Sequence, residues 1–532
     1  MSRRSPGTSR RARQETRPAR RRGSRRARAC VTLVVLALGL PAAAAAQPAP
    51  LQGLAAYIEQ EMADWKVPGL AIAVVKDDAL VWASGFGVRD ARSGGAVDEH
   101  TLFAIGSASK AFTAASVGML VQEGHLRWDD RVTKYLPDFE TSDPYVTREL
   151  TVRDLLTHRS GLDRGDQVWY ATGLGREEIL HQVRFQPPTS SLRSQFGYNN
   201  NMFLAAGQIL PGLTGLSWDD FVDRRIFAPL RMERSVTSTL PLARMENVAQ
   251  PHQEIDGEVR PIPWRNIDNI APAGSIVSSA SEMANWVRLQ LAGGEFEGRR
   301  ILDEVVVREM HSAQTIMPLE GSWALMAPES HFLMYGMGWM LHDYRGRKVV
   351  QHGGNIDGMH ALVALLPEER LGVVVLTNLL PNYLTYALMH RVFDAYLGAP
   401  EMDWSERFGG RFRELVAAGE AQRRRMEESR VAGTKPSLAL DRYAGTYRHE
   451  MYGELVVALD GGGLVARRGS GFAGDLEHWH FDTFRIEWRD ESMGSGLVTF
   501  ALDARGGVAG ADLQGIGEME RVPEGPSVAN RR

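Results

Sequence analysis

The sequence predicts an α+β fold: an antiparallel sheet flanked by helices, an all-helical subdomain in the middle of the chain, and a small antiparallel β-barrel at its C-terminal end. Three observations carry that prediction. Apolar strand-like runs at residues 70–75 and 79–84 are answered late in the chain by runs at 338–343, 348–351, 360–366 and 372–377. Between them, from Ser107 to about residue 300, helical spacing and Gly/Pro loops predominate. Strands at both ends with helices between place the two ends in one sheet. Beyond Pro436, short alternating strands at 453–459, 463–467, 477–481, 483–488 and 496–502 are broken by Gly-rich turns, the spacing of a small closed all-β module.

The elements follow in order. Leu54, Ile58, Met62 and Trp65 recur at helical spacing until Val67-Pro68-Gly69 stops them. Lys76-Asp77-Asp78 then turns one strand into the next as a hairpin. A helix opens near Ser107 and runs to about Gln122, with Gly124 as its C-cap glycine. A last helix at 384–397 covers the sheet, and residues 401–435, rich in Arg and Glu, read as a charged helical linker. The expected organisation is a signal peptide at 1–46, the α+β domain at 47–400, the linker at 401–435 and the barrel at 436–532.

The signal peptide rests on three features: twelve arginines and one acid within residues 1–28, an apolar run at 31–40, and small residues ending at Ala46. The apolar run is too short to span a bilayer. The export route, general or twin-arginine, stays open, because Ala27-Arg28-Ala29 stands where apolar residues should follow Arg25-Arg26. Removing residues 1–46 moves the formal net charge from −4 to about −15, which argues against nucleic acid or anionic lipid as partner. The only cysteine, Cys30, lies in the signal, so a mature chain has no disulfide, thiolate metal site or cysteine nucleophile. Secretion or a periplasmic location is expected, with no stable membrane span after cleavage.

Three segments carry chemistry. In Phe103-Ala-Ile-Gly-Ser-Ala-Ser-Lys-Ala-Phe112, Ser107 and Lys110 are three apart at a helix start, so both project from one face. The choice of lysine is informative. The chain has only six, and a desolvated amine can take a proton as a guanidinium cannot. Tyr198 and Asn200 form a Tyr-x-Asn pair before the helical run 202–210. A tyrosine beside a lysine ammonium is expected to have its pKa lowered toward neutrality, which fits it to relay the serine proton. At a strand end, His352-Gly353-Gly354-Asn355 offers paired glycines for close backbone approach and an N–H for an oxyanion hole. Each segment alone has a bland alternative: a serine N-cap, an aromatic packing residue, a hairpin turn.

In this order and spacing the three segments resemble the beta-lactamase-related serine hydrolases: class C beta-lactamases, D,D-peptidases, D-aminopeptidases and esterases. Ser107 to Lys110 matches their Ser-x-x-Lys, Tyr198 to Asn200 their Tyr-x-Asn, and His352 to Gly354 falls on their Lys-Thr-Gly. The stretches 150–162, 273–280 and 335–339 look similar as well, and residues 436–523 resemble the lipocalin-like barrel appended to many such enzymes. The resemblance implies a Ser107 acyl-enzyme, a coupled Lys110–Tyr198 proton pair, and Asn200 orienting both the substrate amide and the lysine. It also implies an oxyanion hole from the N–H groups of Ser107 and Asn355, and no metal or organic cofactor.

The departure at His352-Gly353 removes the cation and hydroxyl that suit a substrate carboxylate. The expected function is therefore a peptidase or esterase acting on a small ester, amide or peptide. The alternative is a beta-lactamase or D,D-carboxypeptidase, and from another class a penicillin-binding sensor or a non-catalytic ligand-binding protein. The methionines Met310 to Met340 around Trp323 and Trp339 are expected to fill core, and His158 to be structural.

Overall fold

The computed structural model describes residues 47–469 and 471–523; the signal-peptide expectation falls outside them. A nine-stranded antiparallel sheet organises the larger domain. Its order runs Thr315–Met317, Leu333–Tyr335, Met340–Tyr344, Arg347–Ile356, Met359–Leu366, Leu371–Thr377, Gly69–Lys76, Ala79–Asp90 and Gly94–Ala96. The join between the early and late segments is the pairing of Leu70 with Thr377 through to Lys76 with Leu371.

Alternation along the central strand sorts its side chains into two cores. Ala71, Ala73 and Val75 face the helical subdomain, while Leu70, Ile72 and Val74 face the terminal helices Leu54–Asp64 and Leu384–Leu397. Trp404, at the start of the long helix Trp404–Glu428, packs into the second core. The helical subdomain centres on Lys110–Gln122, which is buried almost all round. Small residues make that burial possible: a Cβ added to Gly118 would lie 2.4 Å from Val306, and one on Gly207 would lie 2.3 Å from Pro272. Beside it runs Asn200–Thr214, capped by Asn199, whose side chain accepts from the Met202 N–H at 3.2 Å.

The C-terminal module is a closed eight-stranded barrel. The segments from Gly445 to His449, Val508 to Leu513 and Gly517 to Arg521 join the five strands legible by alternation. Short and interrupted by glycine, they carry little periodic signal. The barrel rests on the loop after Gly161: Met451 joins the larger core, and Gly469 lies against Ala171. No helix among the described residues is long and apolar enough to cross a membrane.

Candidate active site

Ser107 stands in the tight turn Gly106–Ser109, which continues as the helix Lys110–Gln122. Lys110 is fully buried, with Nζ 3.0 Å from Ser107 Oγ, and donates to the Ala273 carbonyl at 2.7 Å. The Tyr198 ring lies beside the amine, its centroid 4.9 Å from Nζ. Burial pushes the Lys110 ammonium well below its ordinary pKa, against a smaller opposite pull from Asp166. Burial also raises the Tyr198 phenol, opposed by its hydrogen bond with Ser107 and by the Arg164 charge.

This corrects the expected lowering of the tyrosine. A dry pocket disfavours the charged form of both groups, so burial shifts the pair toward amine and phenol rather than toward ammonium and phenolate.

The His352-Gly353-Gly354-Asn355 segment lies at the end of a strand, as expected. It lies in the last half of Arg347–Ile356, paired residue by residue with Val363, Leu362, Ala361 and His360. This strand crosses the Ser107 turn at very close range. A Cβ on Gly354 would meet the Ile105 carbonyl oxygen at 1.8 Å and Ser107 N at 2.8 Å; one on Gly106 would meet Asn355 N at 2.7 Å. Gly354 is thus a close-approach residue and does not line the pocket, contrary to its expected place among the substrate-binding groups. His352 and Gly353 do line it. His352 is 1% exposed, its Nδ1–H donates to the Gly353 carbonyl at 2.6 Å, and Nε2 accepts from the Tyr335 hydroxyl at 2.9 Å. Burial brings its pKa down to about 3, so it is a neutral imidazole.

Asn200 also differs from expectation. Its Nδ2 donates to Asp166 at 2.8 Å, and no bond to Lys110 is present among the described residues; Ala273 fixes the lysine instead. Its Oδ1 is buried without a partner beside the cavity, a free acceptor. His158 is buried as expected, yet its ring packs 4.1 Å from that of Tyr198 and its Nδ1 accepts the Asn199 N–H. It therefore holds the tyrosine in place. Of the tryptophan–methionine cluster, Trp323, Met326 and Met340 wall the cavity, while Met310, Met317 and Met337 are core.

Sequence reasoning missed the loop 163–170. Asp166 receives Trp169 Nε1 at 2.9 Å, Asn200 Nδ2 and Arg164 Nε, and Arg164 lies 5.1 Å over the Tyr198 ring. A loop has no periodicity to announce such residues; the nearest signal is an Arg-Gly-Asp run after Ser160-Gly161-Leu162. The cavity they complete has a volume of about 180 Å³. Among the described residues no cluster of His, Cys, Asp or Glu is arranged to hold a metal.

A serine beside a buried amine and a phenol, on a helical subdomain facing an antiparallel sheet, is the arrangement of a beta-lactamase-fold serine hydrolase. Residues 54–392 match the family described as Beta-lactamase, and the chain belongs to it; residues 429–523 match the family described as Domain of unknown function (DUF3471). Among curated relatives, Unguisins hydrolase ungD of Aspergillus violaceofuscus (strain CBS 115571) is 29% identical over 74% of each chain. Penicillin-binding protein 4 of Amycolatopsis lactamdurans is 31% identical over 59% of this chain and 81% of its own. Of solved structures, the octameric penicillin-binding protein homologue from Pyrococcus abyssi superposes with a TM-score of 0.59 at 23% identity, over 88% of this chain and 98% of that one. That likeness is one of fold.

Proposed function

We propose that this protein is an exported serine hydrolase that cleaves a small ester or amide through an acyl-enzyme on Ser107. The observation that carries the reading is the fully buried Lys110 amine 3.0 Å from Ser107 Oγ, its pKa pushed down by burial. In acylation Ser107 Oγ attacks the carbonyl carbon as its proton passes to Lys110. The oxyanion is met by the N–H groups of Ser107 and Asn355. Tyr198 protonates the leaving oxygen or nitrogen and is recharged from Lys110. Water, deprotonated by the same pair, then releases the acid and frees the serine.

The substrate class follows from what faces the cavity. His352 is neutral and engaged at both nitrogens, so it offers no charge to a carboxylate. Arg164, whose Nη groups have no partner among the described residues, is the permanent cation there. An acyl group with a polar or acidic end toward Arg164, an amide N–H toward Asn200 Oδ1 and an apolar side against Trp323 and Met326 fits this lining. The relative named as an unguisins hydrolase supports hydrolysis over a sensor role. The test is a panel of nitrocefin, p-nitrophenyl esters of graded chain length, and D- and L-aminoacyl anilides, run on wild type and Ser107→Ala. Turnover of an ester or anilide that the variant lacks supports the reading; equal rates for the two proteins on every substrate refute it.

A further inference from the structure

The barrel is packed with side chains through most of its length, Tyr443, Tyr447, Phe484 and Phe500 filling its centre. At the end facing the α+β domain the packing is incomplete. There a cavity of about 200 Å³ is walled by Phe472, Ile486, Trp488, Leu513 and Ile516, with one charged side chain, Arg468. The strand Gly463–Arg468 turns Leu464 and Ala466 inward, and the same alternation carries Arg468 into the lumen.

Arg468 is 4% exposed. Its Nη2 donates to the Gln167 carbonyl and, at 3.5 Å, to that of Tyr452; Nη1 reaches Gln167 Oε1 at 3.4 Å. Its Nε is buried with no partner, and no carboxylate lies within ion-pair distance among the described residues. Desolvation brings its pKa down to about 10, with only Tyr452 opposing. Two other buried charges have countercharges: Asp154 has Arg159 and Arg193, and Asp394 has Arg345. A buried guanidinium held by neutral oxygens and the face of Phe472, 6.0 Å away, with no carboxylate beside it, is poorly compensated, and the ligand that compensates it is an anion.

We propose that the barrel mouth is a binding site for a small amphipathic carboxylate, its head on Arg468 and its short apolar tail against Phe472, Ile486, Trp488, Leu513 and Ile516. The volume sits below the roughly 300–1,000 Å³ of drug-sized sites, which limits the tail to a short chain. The site is tied to the catalytic cavity by sequence. Gln167, whose carbonyl Arg468 now holds, adjoins Asp166, so a carboxylate that takes over the guanidinium releases the loop carrying Arg164, Asp166 and Trp169. The ligand reaches the site either as a free acid or as the acid that hydrolysis at Ser107 would release, and its chemistry is the same in both cases.

Calorimetric titration of the full chain with hexanoate, hexanol and hexylamine tests this, on wild type, Ser107→Ala, Arg468→Met and Gly496→Ile. Gly496 lines the cavity, and a Cβ there makes only ordinary contacts at 3.6 and 3.7 Å, so isoleucine fills space in the cavity while Arg468 itself is unchanged. Hexanoate should bind wild type at least about tenfold more tightly than hexanol, as one charge-assisted pair provides. Ser107→Ala should bind it equally, which keeps the outcome independent of the hydrolase reading. Given p-nitrophenyl hexanoate in place of hexanoate, wild type but not Ser107→Ala should show the heat of hexanoate binding if the released acid is the source. Arg468→Met should lose the preference for hexanoate over hexanol, and Gly496→Ile should lose binding of both, which keeps the test decisive if the first variant does not fold. Equal affinity of wild type for hexanoate and hexanol, absence of binding, or unchanged hexanoate binding in Gly496→Ile overturns the proposal.

Discussion

Replacing Gly354 by alanine adds one methyl group where the sheet strand crosses the nucleophile's turn. The new Cβ would lie 1.8 Å from the Ile105 carbonyl oxygen and 2.8 Å from Ser107 N. Both obstacles are backbone, so neither can swing aside, and strand and turn must separate by more than an ångström. The φ of Gly354 is not in the left-handed region, so the penalty is steric rather than conformational. Overpacking of this kind costs about 1–3 kcal/mol of stability. A displacement of about 1 Å between reacting groups costs roughly 100-fold in rate, and here it would part Ser107 N from Asn355 N. The assay is kcat and KM on the best p-nitrophenyl ester, beside denaturant unfolding. We expect kcat to fall about 100-fold with the variant still folded. The control is Gly212→Ala in the helix Asn200–Thr214, where an added Cβ meets nothing within 4 Å, and which should keep full activity. A Gly354→Ala enzyme within about twofold of wild type in kcat would refute the close-approach argument.

Further outcomes follow from the same geometry. Tyr198→Phe should lose about 100- to 1,000-fold in kcat, the range for a general acid, with KM nearly unchanged; a change confined to KM would show that the phenol only binds. Lys110→Met should be more stable than wild type at low pH. The buried amine's pKa is lowered, so from that value up to about 10.4 the unfolded chain binds the extra proton, and wild-type stability rises with pH by about 1.4 kcal/mol per unit relative to the variant. A pH-independent difference measured by urea unfolding would contradict this. Asp154 is fully buried and paired with Arg159 at 2.6 Å and Arg193 at 2.7 Å. Burial opposes its charge, but the hydrogen bonds from Arg193 and Thr151 outweigh it and lower its pKa. Its contribution is therefore present above pH about 3.9 and lost as pH falls through the lower folded value. Asp154→Asn should cost about 3–5 kcal/mol at pH 7 and progressively less below pH 4.

What the sequence made legible was periodic or covalent. Alternation revealed the central strands, and the last helix spans Leu384–Leu397 as its pattern predicts. Ser107 and Lys110 are brought together by their spacing on one turn, and Tyr198 by an ordered motif. What stayed hidden depends on tertiary contact. The Ala273 carbonyl that fixes Lys110 is a backbone atom that any residue would supply. Arg164 and Asp166 stand in a loop without period. The protonation of the Lys110–Tyr198 pair was misjudged because sequence reveals that two groups meet but not how dry their meeting place is. Gly354 was assigned to the substrate for a related reason: a glycine reads the same whether a ligand or a neighbouring strand needs the space.

The central claim is that Ser107 carries the acyl group. Wild type mixed with a p-nitrophenyl ester, stopped in acid within milliseconds and digested, should yield the peptide containing Ser107 heavier by the mass of the acyl group. Ser107→Ala should show no adduct at that peptide. An adduct on another residue, or nitrophenol release by a wild type whose Ser107 peptide stays unmodified at every quench time while Ser107→Ala keeps the same rate, would contradict the account.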